Sequence, residues 1–162
     1  MALPRALDRS AALGLRILAV LAFVAPLLTR LLLGHAFYLT GSGKVAKPPV
    51  EYFTDLGIPM PGANAVFVAY VEYIGAILLI VGLLTRIAAF FLSSTMVVAL
   101  MTAHREELMN ALRGIGDDGP TAIVPVVYLA MLLWLVFYGP GVVSLDALLF
   151  RKLGRSAEKS AP

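Results

Sequence analysis

Four long apolar runs, parted by short polar or Gly/Pro-bearing stretches, dominate the chain. They cover about Leu13–Leu39, Val66–Leu84, Ile87–Ala103 and Ala122–Tyr138. Each approaches or exceeds the roughly 17–25 residues that cross a bilayer as a helix. A lone strand would leave its backbone unpaired in lipid, so helices are expected. At ~1.5 Å per residue the first run reaches about 40 Å, which predicts a tilt or a protrusion. It is too long for a signal-peptide core and lacks a clear small-residue cleavage site, so it is expected to remain as a span.

Local signals place the boundaries. Asn64 is expected to cap the second helix, Gly82 to weaken its end, and Thr85 to cap the third after the tight turn "GLLTR". Asp117, Asp118, Gly119 and Pro120 form a start signal for the fourth, with Pro125 expected one turn inside, where it would bend the helix. The connection Ser42–Asn64 holds "PPVEYFTDLGIPMPG", read as a short helix from near Pro49 to Gly57. Its Val50, Phe53 and Leu56 suit the membrane surface or the bundle, making it either a cap on the mouth of the bundle or a rigid connector. After "YGPG", Ser144 can cap a further amphipathic helix, with Asp146 in its first turn and Leu145, Leu148 and Leu149 on the membrane surface. The expected fold class is all-α: a single polytopic membrane domain over 1–162, an antiparallel bundle of four transmembrane helices. A short outer-loop helix and a C-terminal interfacial helix complete it.

Composition agrees. The chain is 60% hydrophobic and 14% charged, against about 45–50% and 25% in soluble domains. Its net charge of +3 comes without a basic cluster interleaved with aromatics, so nucleic acid is not an expected partner. The absence of cysteine excludes disulfides, thiolate zinc sites and cysteine-ligated iron–sulfur clusters.

The basic residues serve as topology markers. Arg5, Arg9 and Arg16, then Arg86 in the short turn, then Arg151, Lys152, Arg155 and Lys159 fall on one side of a four-span chain. That side is expected to be the cytoplasm, with both termini inside. The opposite loops also carry cations, but mixed with six acidic residues from Glu51 to Asp118.

Two charges lie within the spans themselves. Arg30 sits deep in the first and Glu72 in the second. A charge at the bilayer centre costs about 2.5–3.5 kcal/mol on insertion scales, so each needs a partner. At 100° per residue Arg30 shares a face with Gly34, Phe37 and Gly41, and Glu72 with Ala65, Ala69, Gly75 and Ala76. Small residues let membrane helices approach closely, so an Arg30–Glu72 pair is expected between the first two helices. Arg86 and Asp146 are expected to pair on the inner side. His35, Lys44 and His104 lie toward the outer side. Together with Arg30 and Glu72 they form a candidate ligand-binding polar cluster, near Tyr38, Tyr70 and Tyr73, whose simpler role is an interfacial aromatic belt. "GSGK" is not a phosphate loop, since no strand precedes it.

The stretches "RLLLGHAFYLTGSGK", "FTDLGIPMP", "VEYIGAILLIVGLLTR" and "GPGVVSLDALL", in this order and spacing, resemble the DoxX family (DoxX/DoxD-like) of small four-helix bacterial membrane proteins. Arg30, Gly34, Gly41, Lys44, Gly57, Pro59, Glu72, Arg86 and Asp146 fall on its recurrent positions. The resemblance implies the bacterial cytoplasmic (inner) membrane. It also implies an accessory role in a quinone-linked or redox-stress oxidoreductase complex, with a protein partner or a homo-oligomer in the bilayer. Quinone is the cofactor this allows. Electrons would come from a partner, because the chain shows no redox centre of its own. The alternative is a non-catalytic scaffold or small-ligand-binding module. A minor alternative is a haem held by His35 and His104, or a metal held by His35, Glu72 and His104. No catalytic residue is assigned, and nothing suggests a Ser–His–Asp hydrolase or alternating-access transport.

Overall fold

The computed structural model describes residues 23–116 and 119–159, with side chains to Lys152. Every regular element among them is helical. In chain order these are α1 (Val24–Ala46), α2 (Val50–Asp55), α3 (Pro61–Val81), α4 (Thr85–Met101), α5 (Arg105–Leu112), a 3-10 turn (Pro120–Ala122), α6 (Val124–Tyr138) and α7 (Leu145–Lys159). Helices α1, α3, α4 and α6 form the bundle. Its closest packings are α1 on α3 and α4 on α6, with α3 on α4 between them and α6 returning to α1.

The core is narrow. Leu33 and Phe37 of α1, Leu79 of α3, Leu92 of α4, and Leu132 and Leu135 of α6 meet at its centre. Outside it lies a second, larger set of apolar side chains that no other described residue covers. Leu32, Phe67, Phe90 and Phe137 are all more than half exposed. Soluble monomers rarely expose contiguous apolar patches beyond a few hundred Å². A bundle with a thin core and an apolar exterior is built for lipid.

The all-helical expectation holds, while span lengths differ from it. Among the described residues, Pro61–Val81 alone is long and apolar enough to cross a membrane by itself. Thr85–Met101 reaches that standard only together with Arg105–Leu112, from which it is bent by 79°. Val124–Tyr138 is apolar but has 15 residues. The first expected span began at Leu13; residues 13–22 lie outside the described residues, and at its other end α1 runs past Leu39 to Ala46.

Several boundary expectations need correction. Asn64 does not cap α3: the helix begins at Pro61, and Asn64 Nδ2 donates back to the Pro59 carbonyl at 2.5 Å. Proline at the first helical position needs no amide partner, so it starts the helix itself. Pro125 sits in the first turn of α6 rather than one turn inside, where it costs no hydrogen bond and need not bend the helix. Asp117 and Asp118 lie outside the described residues. Gly82 does end α3, as expected, in the left-handed region at φ 71°.

Candidate functional site

Helices α1 and α3 run antiparallel and touch backbone to backbone. A Cβ built on Gly41 would lie 2.5 Å from the Tyr73 nitrogen and 2.9 Å from the Glu72 carbonyl carbon. Gly34 makes a similar approach lower down, where a Cβ would lie 3.1 Å from the Ala76 oxygen. All the residues assigned to the two contact stripes from the sequence are buried: Arg30, Gly34, Phe37 and Gly41 on α1, and Ala65, Ala69, Glu72, Gly75 and Ala76 on α3.

This register decides which charges meet. Gly41, not Arg30, stands opposite Glu72. Arg30 lies eleven residues further along α1, about 16 Å of helix. The expected Arg30–Glu72 pair is therefore not formed. Glu72, 2% exposed, accepts from Lys44 Nζ at 2.5 Å on Oε1 and from Thr40 Oγ1 at 3.0 Å on Oε2. Thr40 and Lys44 are four residues apart on α1 and so share a face. Stopping the helix at Leu39 hides this, because it removes both residues from the helical face. Thr40 is the functional residue that the sequence reading missed.

The Lys44–Glu72 pair lies on the wall of a cavity of about 270 Å³. The rest of the wall is mostly apolar. Helix α2 contributes Phe53, followed by Leu56, and α4 contributes Met96 and Ala99. His104 stands at its edge, where the chain turns from α4 into α5. Its Nδ1 lies 2.9 Å from Glu107 Oε2, one turn on, which leaves Nε2 as the ring nitrogen available to a ligand. Helix α2 thus lies over this end of the bundle, as the capping role anticipates: Phe53 is buried, Gly57 stops the helix in the left-handed region, and Val50 stays exposed.

Of the five candidate cluster residues, Lys44, Glu72 and His104 come together on this cavity. His35 does not. It is exposed on the outer face of α1 and is not among the cavity-lining residues. A haem or metal shared by His35 and His104 therefore has no common site, and the described residues contain no cluster of three His, Cys, Asp or Glu suited to a metal. Tyr38 and Tyr73 pack ring to ring at 5.5 Å, and Tyr70 is exposed; none of the three lines the cavity.

Arg30 serves the other end of the bundle. It is 1% exposed, and its Nη2 donates to the Val143 carbonyl in the segment leading into α7. Its guanidinium lies against Gly82, where any Cβ would collide with Nη1 and would come within 2.8 Å of Ser144 Cβ. Asp146 does not form the expected pair with Arg86. Its two oxygens accept from the amides of Leu84 (2.8 Å) and Thr85 (3.0 Å), and its own amide donates to the Gly82 carbonyl at 3.0 Å. A carboxylate at a helix N-terminus satisfies orphan amides and meets the positive end of the helix dipole. Asp146 therefore caps α4, the role expected of Thr85, which is instead the first residue of that helix. Ser144 caps α7 as expected, accepting from the Ala147 amide at 3.1 Å. Arg86 is exposed, its guanidinium lying over Gly139.

Comparison with known proteins identifies the family. The DoxX family profile matches residues 25–105. An uncharacterised protein of Haemophilus influenzae is 32% identical over 130 residues, covering 76% of this chain and 89% of the relative. The inner membrane protein YphA of Escherichia coli is 33% identical over 102 residues, covering 60% of this chain and 69% of the relative. No solved structure matches significantly. The profile match extends from the start of α1, through the helix contact at Gly41 and Glu72, to the bend after α4, and on it the chain belongs to the DoxX family of membrane proteins.

Proposed function

We propose that this protein is a ligand-binding membrane subunit whose cavity at the Lys44 end takes the carbonyl-bearing head of a small amphiphile, a quinone being the best fit. The single observation behind this reading is the buried Glu72 carboxylate, paired with the part-exposed Lys44, on the wall of a mostly apolar cavity. An apolar pocket with a few convergent polar groups is the usual form of a small-molecule site. The Lys44 ammonium has donors to spare for a carbonyl oxygen, and the Glu72 carboxylate can accept from the hydroxyl of the reduced form. His104 supplies a further donor or acceptor at the edge. Electrons belong to a partner oxidoreductase, which makes this chain an accessory subunit.

In this reading α1, α3, α4 with α5, and α6 are the four spans. The protein lies in the bacterial inner membrane with the Lys44 end outward and both termini in the cytoplasm. The basic residues Arg86, Arg151 and Lys152 support that orientation.

The test is titration of the purified protein with a short-chain quinone, followed by the reduced-minus-oxidised ultraviolet spectrum of the bound fraction. Saturable binding lost in Lys44→Met is expected. No saturable binding, or equal binding by that variant, overturns the proposal. A second reading, a scaffold without ligand, draws on the same pair as a structural clasp between α1 and α3. It requires Lys44→Met to weaken the fold and leave no ligand signal in either form.

A further inference from the structure

At the opposite end of the bundle, α4, the turn after α6 and the start of α7 enclose a cleft of about 590 Å³. Its polar wall is Arg86 and Asp146. Asp146 is engaged by the amides of Leu84 and Thr85. The exposed Arg86 has no carboxylate partner among the described residues. The apolar wall includes Ile87, Pro140 and Phe150. A second groove of about 380 Å³ runs along the lipid-facing side between α3 and α4, lined by Phe67, Ile74, Leu78, Ile87 and Phe91 among others. Ile87 lines both. The two therefore adjoin at the start of α4, a polar cleft beside an apolar furrow. From Leu78 to Phe67 the furrow spans eleven residues of α3, about 16 Å at the helical rise.

We infer that these adjoining sites together hold an anionic phospholipid, its phosphate on Arg86 and one acyl chain in the α3–α4 furrow. Guanidinium groups pair with phosphate oxygens through a planar fork of donors. Phe150 and the exposed Leu148 and Leu149 set α7 as an amphipathic helix at the headgroup level, and Arg151 and Lys152 follow them directly. Basic residues in that position attract anionic lipid. A head of one charge and a tail of one furrow's length fit lipid better than a second copy of the chain, which would bring another Arg86 toward the first in a two-fold contact. Under the orientation proposed above, this lipid belongs to the cytoplasmic leaflet, but the inference does not depend on the quinone reading, since it uses the other end of the bundle.

The experiment is native mass spectrometry of the full chain in detergent, offered equimolar phosphatidylglycerol and phosphatidylcholine with matched acyl chains. Phosphatidylglycerol should be retained about fivefold more, the preference expected from one basic residue at the surface of an anionic lipid. Arg86→Gln should abolish the preference and Arg86→Lys should keep part of it. Ile74→Trp, which fills the furrow from an exposed position, should lower retention of both lipids. Equal retention by the wild type, an undiminished preference in Arg86→Gln, or full retention in Ile74→Trp each overturns the proposal. So does a lipid-free dimer cross-linked through Ile74→Cys, which puts a second copy in the furrow.

Discussion

Two glycines on one helix, two residues apart, should respond to the same substitution with opposite signs. Gly41 stands where α1 meets α3, and a Cβ there falls 2.5 Å from the Tyr73 nitrogen and 2.8 Å from its Cα. Ordinary contact begins near 3.4 Å, so Gly41→Ala must part the helices by most of an ångström. The obstructing atoms are backbone and cannot rotate aside. Overpacking of this kind costs about 1–3 kcal/mol, and the intrinsic gain of Ala over Gly in a helix returns up to about 1 kcal/mol. Shifting α3 also stretches the Lys44–Glu72 contact, which is anchored one turn away. A net loss of about 1–2 kcal/mol is expected. Gly43 has nothing within 4 Å of its would-be Cβ. There only the helix term remains, and Gly43→Ala should stabilise by about 0.5 kcal/mol. Unfolding in mixed micelles, followed by far-ultraviolet circular dichroism against a rising denaturing-detergent fraction, reads both. If Gly41→Ala is as stable as the wild type, the helices do not meet at this point and the register that places Glu72 opposite Gly41 is wrong.

The other expectations concern the two polar junctions. Asp146→Ala removes the cap from α4 and should cost about 1–2 kcal/mol in the same assay, with faster amide exchange at Leu84 and Thr85. Gly82→Ala combines a positive φ with a collision against Arg30 and Ser144, and should destabilise by at least 1 kcal/mol on the scale of strained backbone; a neutral result would mean that Arg30 does not lie against the turn. Thr85→Val keeps the shape of a fully buried side chain whose hydroxyl has no partner among the described residues, so it should be neutral or raise stability by about 1 kcal/mol. Lys44→Met strands the buried Glu72 carboxylate with Thr40 as its remaining donor and should lower stability more than Glu72→Gln, which removes the buried charge and leaves the part-exposed Lys44 ammonium to solvent; equal losses would contradict the difference in burial.

What could be read from the chain alone follows the range of each signal. Helical periodicity identified the buried stripes of α1 and α3 down to single residues, because small residues every third or fourth position mark a contact whatever the partner. Gly82, Ser144 and the amphipathic start of α7 were legible for the same reason: their causes lie within one turn. Pairing of charges was not legible, because it depends on where helices end. The run "TGSGKVA" has the composition of a break, yet it continues α1 to Ala46. Tertiary contact at Gly41 outweighs its weak propensity, and with it Lys44 replaces Arg30 as the partner of Glu72. The cap from Asp146 to α4 spans more than sixty residues and leaves no local trace. Nor does the 79° bend that separates α5 from α4, since the residues around His104 carry neither proline nor glycine.

The Asp146 contact has a consequence for the order in which the molecule is completed. A ribosome releases α3 and α4 long before it makes Asp146, so the junction between them leaves the translation machinery with bare amides at Leu84 and Thr85. Only α7 closes it, and in doing so it also brings Val143 to Arg30 on the earliest described helix. The start of α7 thus works as a keystone: α1, α3 and α4, made one after another, are tied together when it arrives. Chains halted short of Asp146 would present membrane proteases with an open turn and a stranded buried cation, a simple physical mark of an unfinished protein.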